Sequence, residues 1–183
     1  MDSTSPSILI VEDEPAIARL QDKALKRAGF STLTAGTAEE ALQHLQGAKV
    51  DLLLLDFNLL RSRNGLDLYQ DMKDAGHDVP VIMVTGLSSE STLIKAIRAG
   101  VRDFVTKTPD YLDYLPEAVQ RVLDQVAVER QLSESEARLA DIINSAQDAV
   151  LSLDENCQID LFNPAAQQMF GYGSDEIRRQ PIE

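Results

Sequence analysis

The run Asp51-Leu52-Leu53-Leu54-Leu55-Asp56 decides the fold. Four consecutive leucines leave no polar side to face water, and the run is too short for a buried helix. Residues 52–55 therefore read as a strand covered on both faces and closed by Asp56. Upstream, Ile8-Leu9-Ile10-Val11 is a similar run and ends in Glu12-Asp13-Glu14-Pro15. Pro15 suits the first turn of a helix over 16–28, which Gly29 stops. A weaker strand follows at 31–35. Thr37-Ala38-Glu39-Glu40 has the capping-box pattern and opens a helix to about residue 46. Downstream, 66–74 is helical, and Val81-Ile82-Met83-Val84 is a strand ending at Thr85-Gly86. Residues 88–99 form a helix stopped by Gly100, and Phe104-Val105-Thr106 is a short last strand before Lys107.

Strand and helix thus alternate about five times, and three of the strands are apolar throughout. An open, doubly wound parallel sheet of the α/β class satisfies that pattern. On such sheets the sites lie at the carboxyl ends of the strands. The residues there are Glu12 with Asp13, Asp56, Thr85 and Lys107. Each alone has an ordinary explanation: a helix cap, a loop acid, a turn or a solvated lysine. Their joint occurrence at four strand ends is far more specific. Three carboxylates at one edge repel each other unless a cation intervenes. Mg²⁺, a hard ion that accepts a few carboxylates plus water and phosphate oxygens, meets that need. With a phosphoryl donor, Asp56 is the best nucleophile, because it ends the central apolar strand. Glu12 and Asp13 then hold the metal, Lys107 neutralises phosphoryl oxygens, and Thr85 hydrogen-bonds one of them.

The strings ILIVEDEP (8–15), DLLLLDFNL (51–59), VPVIMVTG (79–86) and AGVRDFVTK (99–107) resemble the response-regulator receiver family of two-component systems over roughly 7–125. The resemblance implies a flavodoxin-like five-stranded sheet in order 2-1-3-4-5. It also implies a histidine kinase, phosphotransfer protein or small acyl phosphate as donor to Asp56. The backbone carbonyl of Asn58 would join Asp13, Asp56 and, through water, Glu12 around Mg²⁺. Thr85 would shift toward the phosphoryl group, and Phe104 would be the aromatic that turns inward behind it. Two local departures stand out. Leu60 replaces the proline usual four residues after the phosphoacceptor, and Gly65 falls one residue late, reshaping the loop with Arg61 and Arg63. Those arginines read as solvated charges, with steering of a donor as the alternative. Lys107-Thr108-Pro109 stands where Lys-Pro is usual, which puts the family's cis peptide in doubt.

After Tyr111 the period changes. Leu115, Val119, Val122 and Val126, then Leu132, Leu139 and Ile143, trace one long helix over 112–145, with a candidate break at 131–133. Its stripe is expected to pair two copies as a short coiled coil, with packing on the receiver as the alternative. Residues 149–153 and 158–162 form a hairpin, and Asn163-Pro164 starts a helix through Phe170. This segment, 141–183, resembles the opening of a PAS sensory domain. The expected organisation is a receiver over 1–125, an overlapping helical linker over 112–145, and an incomplete PAS-like part over 146–183. Such receiver–PAS chains lead the resemblance toward a histidine kinase or a cyclic-dinucleotide enzyme further along the gene.

The charge of −13 disfavours nucleic acid and anionic membranes as direct partners. No run approaches the ~18 apolar residues of a membrane span. A single cysteine, Cys157, suits a reducing cytoplasmic compartment. Neither His44 nor His77 stands in a kinase phosphoacceptor setting. Two rival functions use the same residues. One is a small-molecule phosphatase working through an aspartyl phosphate, for which Asn58 is a poor general acid because it has no carboxylic proton. The other is an interaction module that works without phosphorylation.

Overall fold

The computed structural model describes residues 5–59, 64–86 and 90–177. Five strands, β1 (Ser7–Val11), β2 (Ser31–Ala35), β3 (Leu52–Asp56), β4 (Val81–Thr85) and β5 (Asp103–Thr106), form one parallel sheet in the order β2-β1-β3-β4-β5. Between them run α1 (Pro15–Arg27), α2 (Ala38–Gly47), α3 (Gly65–Asp74) and α4 (Glu90–Ala99), and α5 (Tyr111–Ser145) follows β5.

The pleat sorts the apolar runs into two cores. Ile8, Ile10, Leu52, Leu54, Ile82, Val84 and Val105 face one side, where Leu25 of α1 and Leu115, Val119 and Val122 of α5 close over them. Leu9, Val11, Leu53, Leu55, Val81 and Met83 face the other, against Ala41, Leu68, Met72 and Ala96 of α2, α3 and α4. All five residues of β3 and of β4 are buried, as two covered faces require. Burying a leucine side chain contributes about 2 kcal/mol, so the central strands anchor everything attached to their ends.

The helix ends are set by local chemistry. Pro15 occupies the first turn of α1. The Thr37 hydroxyl accepts the Glu40 N–H at 3.2 Å, but the Glu40 carboxylate bonds the Gly36 N–H rather than that of Thr37, so the box closes one residue early. The full reciprocal box is at α3, between Asn64 and Asp67, and it starts that helix at Gly65 instead of Leu66. The candidate break at 131–133 is absent: α5 runs through it as helix. Every described peptide bond is trans. Leu60, Arg61, Arg63 and the expected α4 start at Ser88 lie outside the described residues.

The chain divides into a compact unit ending at Ala127 and a second beginning at Val128, so the division falls within α5. In the second unit β6 (Leu151–Leu153) and β7 (Ile159–Phe162) make an antiparallel hairpin, followed by α6 (Pro164–Phe170) and α7 (Ser174–Ile177). Buried Asn163 ties this unit together. Its Oδ1 accepts the N–H of Val150 and of Ala166, each at 2.9 Å, while its Nδ2 donates to Ile143 O at 3.1 Å and Asp148 O at 3.0 Å. The side-chain bond to Val150 explains why the ladder begins at Leu151 and not at Ala149.

Candidate functional site

The parallel register brings the strand-end residues to one edge. Asp56 and Thr85 are the last residues of β3 and β4, and Glu12 and Asp13 directly follow β1. The ladder continues one residue beyond the strands. Glu12 N donates to Ala35 O at 3.1 Å, Phe57 N to Val84 O at 2.8 Å and Lys107 N to Thr85 O at 2.7 Å. These bonds hold the main chain of each site residue against its neighbour's strand.

Carboxylate oxygens of Glu12, Asp13 and Asp56 all lie within 4.8 Å of one another. The Lys107 ammonium stands between two of these acids, 2.8 Å from Glu12 Oε2 and 3.0 Å from Asp56 Oδ2. Glu12 is 3 % exposed and Asp56 5 %, so water screens this charge cluster little. Burial pushes the Glu12 carboxyl above its ordinary range, and the nearby Asp56 charge pushes the same way, against the pull of Lys107. Burial also acts to lower the Lys107 pKa, but the bonds to Glu12 and Asp56 outweigh it and raise it. Lysine is therefore the charged partner throughout the neutral range.

Two oxygens at this edge are buried without a partner among the described residues: Asp56 Oδ1 and Thr85 Oγ1. Buried polar atoms are normally bonded, so these two, on adjacent strands, are open to a partner from outside the chain. Hard oxygen donors from three carboxylates suit Mg²⁺ by charge and ligand type. Asn58 is exposed in the loop after β3, and Phe104 is half-buried on β5 against the second core.

Sequence reasoning missed four supporting residues. A Cβ on Gly65 would overlap the main-chain carbonyl oxygen of Asp56, so glycine lets α3 begin hard against the strand end. Tyr114 donates to Thr106 O at 2.9 Å and lies 3.2 Å from Thr108 Oγ1, which braces the chain on both sides of Lys107. Gln21 Nε2 lies 3.5 Å from Glu12 Oε2 and 3.3 Å from the Tyr111 hydroxyl, linking α1 to the site and to α5. The one available signal was a polar residue in the apolar stripe of α1. The partners of the two tyrosines depend on how α5 packs.

Among the described residues no helix is long and apolar enough to cross a membrane. The chain is 36% identical over 128 residues to the nitrogen assimilation regulatory protein NtrX of Azorhizobium caulinodans, an alignment covering 69% of this chain and 28% of that protein. The chain thus spans well under half the length of this curated relative. The crystal structure of the NtrX receiver domain from Brucella abortus superposes with a TM-score of 0.59 at 36% identity, covering 64% of this chain and 98% of that one. A CheY-like response regulator receiver domain protein from Methanospirillum hungatei superposes with a TM-score of 0.63 at 28% identity, covering 69% and 99%. The PAS domain family matches residues 137–183. The response regulator receiver domain family matches residues 8–120, which hold the whole acidic edge and its lysine. The chain therefore belongs to the response regulator receiver domain family, its receiver followed by a PAS domain.

Proposed function

We propose that this receiver is a phosphorylation switch in which Asp56 accepts a phosphoryl group from a histidine kinase, a phosphotransfer protein or a small acyl phosphate, with Mg²⁺ as cofactor. The observation that supports it most is that Asp56, whose Oδ2 lies 3.0 Å from the Lys107 ammonium, and Thr85 on the next strand each carry a buried side-chain oxygen with no partner among the described residues. A phosphoryl group on Asp56 brings oxygens that the Thr85 hydroxyl and Lys107 can both donate to.

In the transfer, an Asp56 oxygen bonds to phosphorus as the bond from phosphorus to the donor's nitrogen or oxygen breaks. The leaving group keeps that electron pair: an acyl phosphate departs as a carboxylate that needs no proton, and a phosphohistidine departs as an imidazole whose released nitrogen takes a proton from water. Glu12, Asp13, Asp56 and the backbone carbonyl of Asn58 would hold Mg²⁺, which supplies positive charge against the attacking carboxylate and the phosphoryl oxygens. Lys107 leaves Glu12 for the phosphoryl group, Thr85 follows it, and Phe104 turns inward behind Thr85. The receiver over 1–125 passes the change through the linker over 112–145 to the PAS part over 146–183. Two copies pair through that linker. The output belongs to a larger cytoplasmic protein, a sensor histidine kinase or a cyclic-dinucleotide enzyme. The receiver itself catalyses only its own phosphorylation and dephosphorylation.

Intact-mass measurement with acetyl phosphate and Mg²⁺ tests the first step. The expected result is one phosphoryl adduct on the protein and none on Asp56→Ala. An undiminished adduct on the variant, or none on the protein, refutes the reading.

A further inference from the structure

The buried stripe of α1 consists of Ala18, Gln21 and Leu25. Gln21 is 1 % exposed, and its place calls for an apolar side chain. Burying a carboxamide is costly unless its polar atoms are bonded. Here the amide group lies between Glu12 Oε2, at 3.5 Å, and the Tyr111 hydroxyl, at 3.3 Å. Both bonds are long, so the two N–H groups of the amide, one for each acceptor, are held only weakly. Glu12 Oε2 also takes the Lys107 ammonium at 2.8 Å. One carboxylate oxygen therefore meets both the site's cation and a glutamine that touches the first residue of α5.

Tyr111 is itself buried, and the next turns of α5 pack through Leu115, Val119 and Val122 into the core beneath the same sheet. A change at the Tyr111 hydroxyl therefore acts at the root of a helix that continues to Ser145. When Lys107 turns to a phosphoryl group, Glu12 Oε2 loses its strongest partner, and the Gln21 amide is the group left to respond. We propose that Gln21 is a positioning residue that couples the occupancy of the acidic site, through Glu12, to Tyr111 and the first turn of α5. This route runs on the α1 side and is separate from Thr85 and Phe104. It rests on the receiver reading above, because it needs a phosphoryl group to draw Lys107 away.

The two can be separated by hydrogen exchange on the full chain with and without beryllofluoride and Mg²⁺. Two variants serve. Tyr111→Phe removes only the hydroxyl, and Gln21→Met keeps the length of the side chain and suits the apolar stripe. In the wild type, beryllofluoride is expected to change exchange at Thr85 and Gly86 and in residues 111–122. In both variants the change at 111–122 is expected to be lost while that at Thr85 and Gly86 is kept. A merely structural role would instead alter exchange without beryllofluoride and leave the response in place. A Tyr111→Phe response at 111–122 equal to the wild type overturns the coupling, as does a wild type that responds at Thr85 and Gly86 but not in α5. A wild type that responds nowhere sinks the receiver reading and the coupling with it. Should Gln21→Met fail to fold, Tyr111→Phe still decides.

Discussion

Lys107 holds two buried acids that would otherwise repel each other. Burial raises the Glu12 pKa. A carboxyl whose pKa is higher folded than unfolded adds stability in its protonated form. That stability is complete below the unfolded value and is lost as pH rises through the folded one. Without Mg²⁺, the protein should therefore lose stability relative to Glu12→Gln as pH climbs above the ordinary carboxylate range. Proton and metal compete for the same carboxylates, so Mg²⁺ affinity should rise over the same interval. Urea titrations of both proteins, with Mg²⁺ and with a chelator, check this. A stability difference that stays flat with pH would show that Glu12 titrates normally. Lys107 has no part in that window, since its raised pKa keeps it charged until well into the alkaline range.

At the scale of elements, the site depends on how closely α3 approaches β3. Gly65 N donates to Phe57 O at 2.9 Å, and the glycine Cα lies against the Asp56 carbonyl. A Cβ there would meet rigid main chain rather than a side chain that can turn aside. Gly65→Ala should cost about 2 kcal/mol, in the range of overpacking, and should also reduce phosphorylation of Asp56 by displacing its backbone. The urea midpoint and the phosphoryl adduct are the two readouts. An unchanged midpoint would mean that the start of α3 can slide. This contact was not legible beforehand: Gly65 stood out only as a glycine one residue late. Asn64-x-x-Asp67 was also in plain view, but its capping role needed the loop geometry that places Asn64 outside the helix.

Over the whole molecule, α5 changes character along its length. Its early residues Leu115, Val119 and Val122 are buried, whereas Val128, Leu132, Leu139 and Ile142 are 64%, 60%, 59% and 62% exposed. These four fall at the alternating three- and four-residue spacings of a two-helix seam, with Ser135 filling the position between Leu132 and Leu139. If two copies pair there, Leu132→Glu combined with Leu139→Glu should convert a dimer into a monomer in sedimentation velocity. The receiver should still take phosphate, because those residues lie beyond the first compact unit. A wild type that sediments as a monomer would end the pairing idea. The stripe that reads as one in the sequence therefore divides, with Leu115, Val119 and Val122 buried and Leu132 and Leu139 exposed.

The sheet, its apolar strands and the strand-end residues could be read directly from the sequence. Short apolar runs that end in Asp, Thr or Lys carry their meaning locally, and the doubly wound rule then sends those ends to one edge. That Asp56 Oδ1 and Thr85 Oγ1 lack partners among the described residues, that Gln21 reaches Tyr111, and that Gly65 touches a carbonyl were decided only by the tertiary structure. Each of these depends on distances between residues far apart in the chain, set by how α1, α3 and α5 pack on the sheet. Periodicity shows which face of a helix is buried, but not which polar atom on that face meets another.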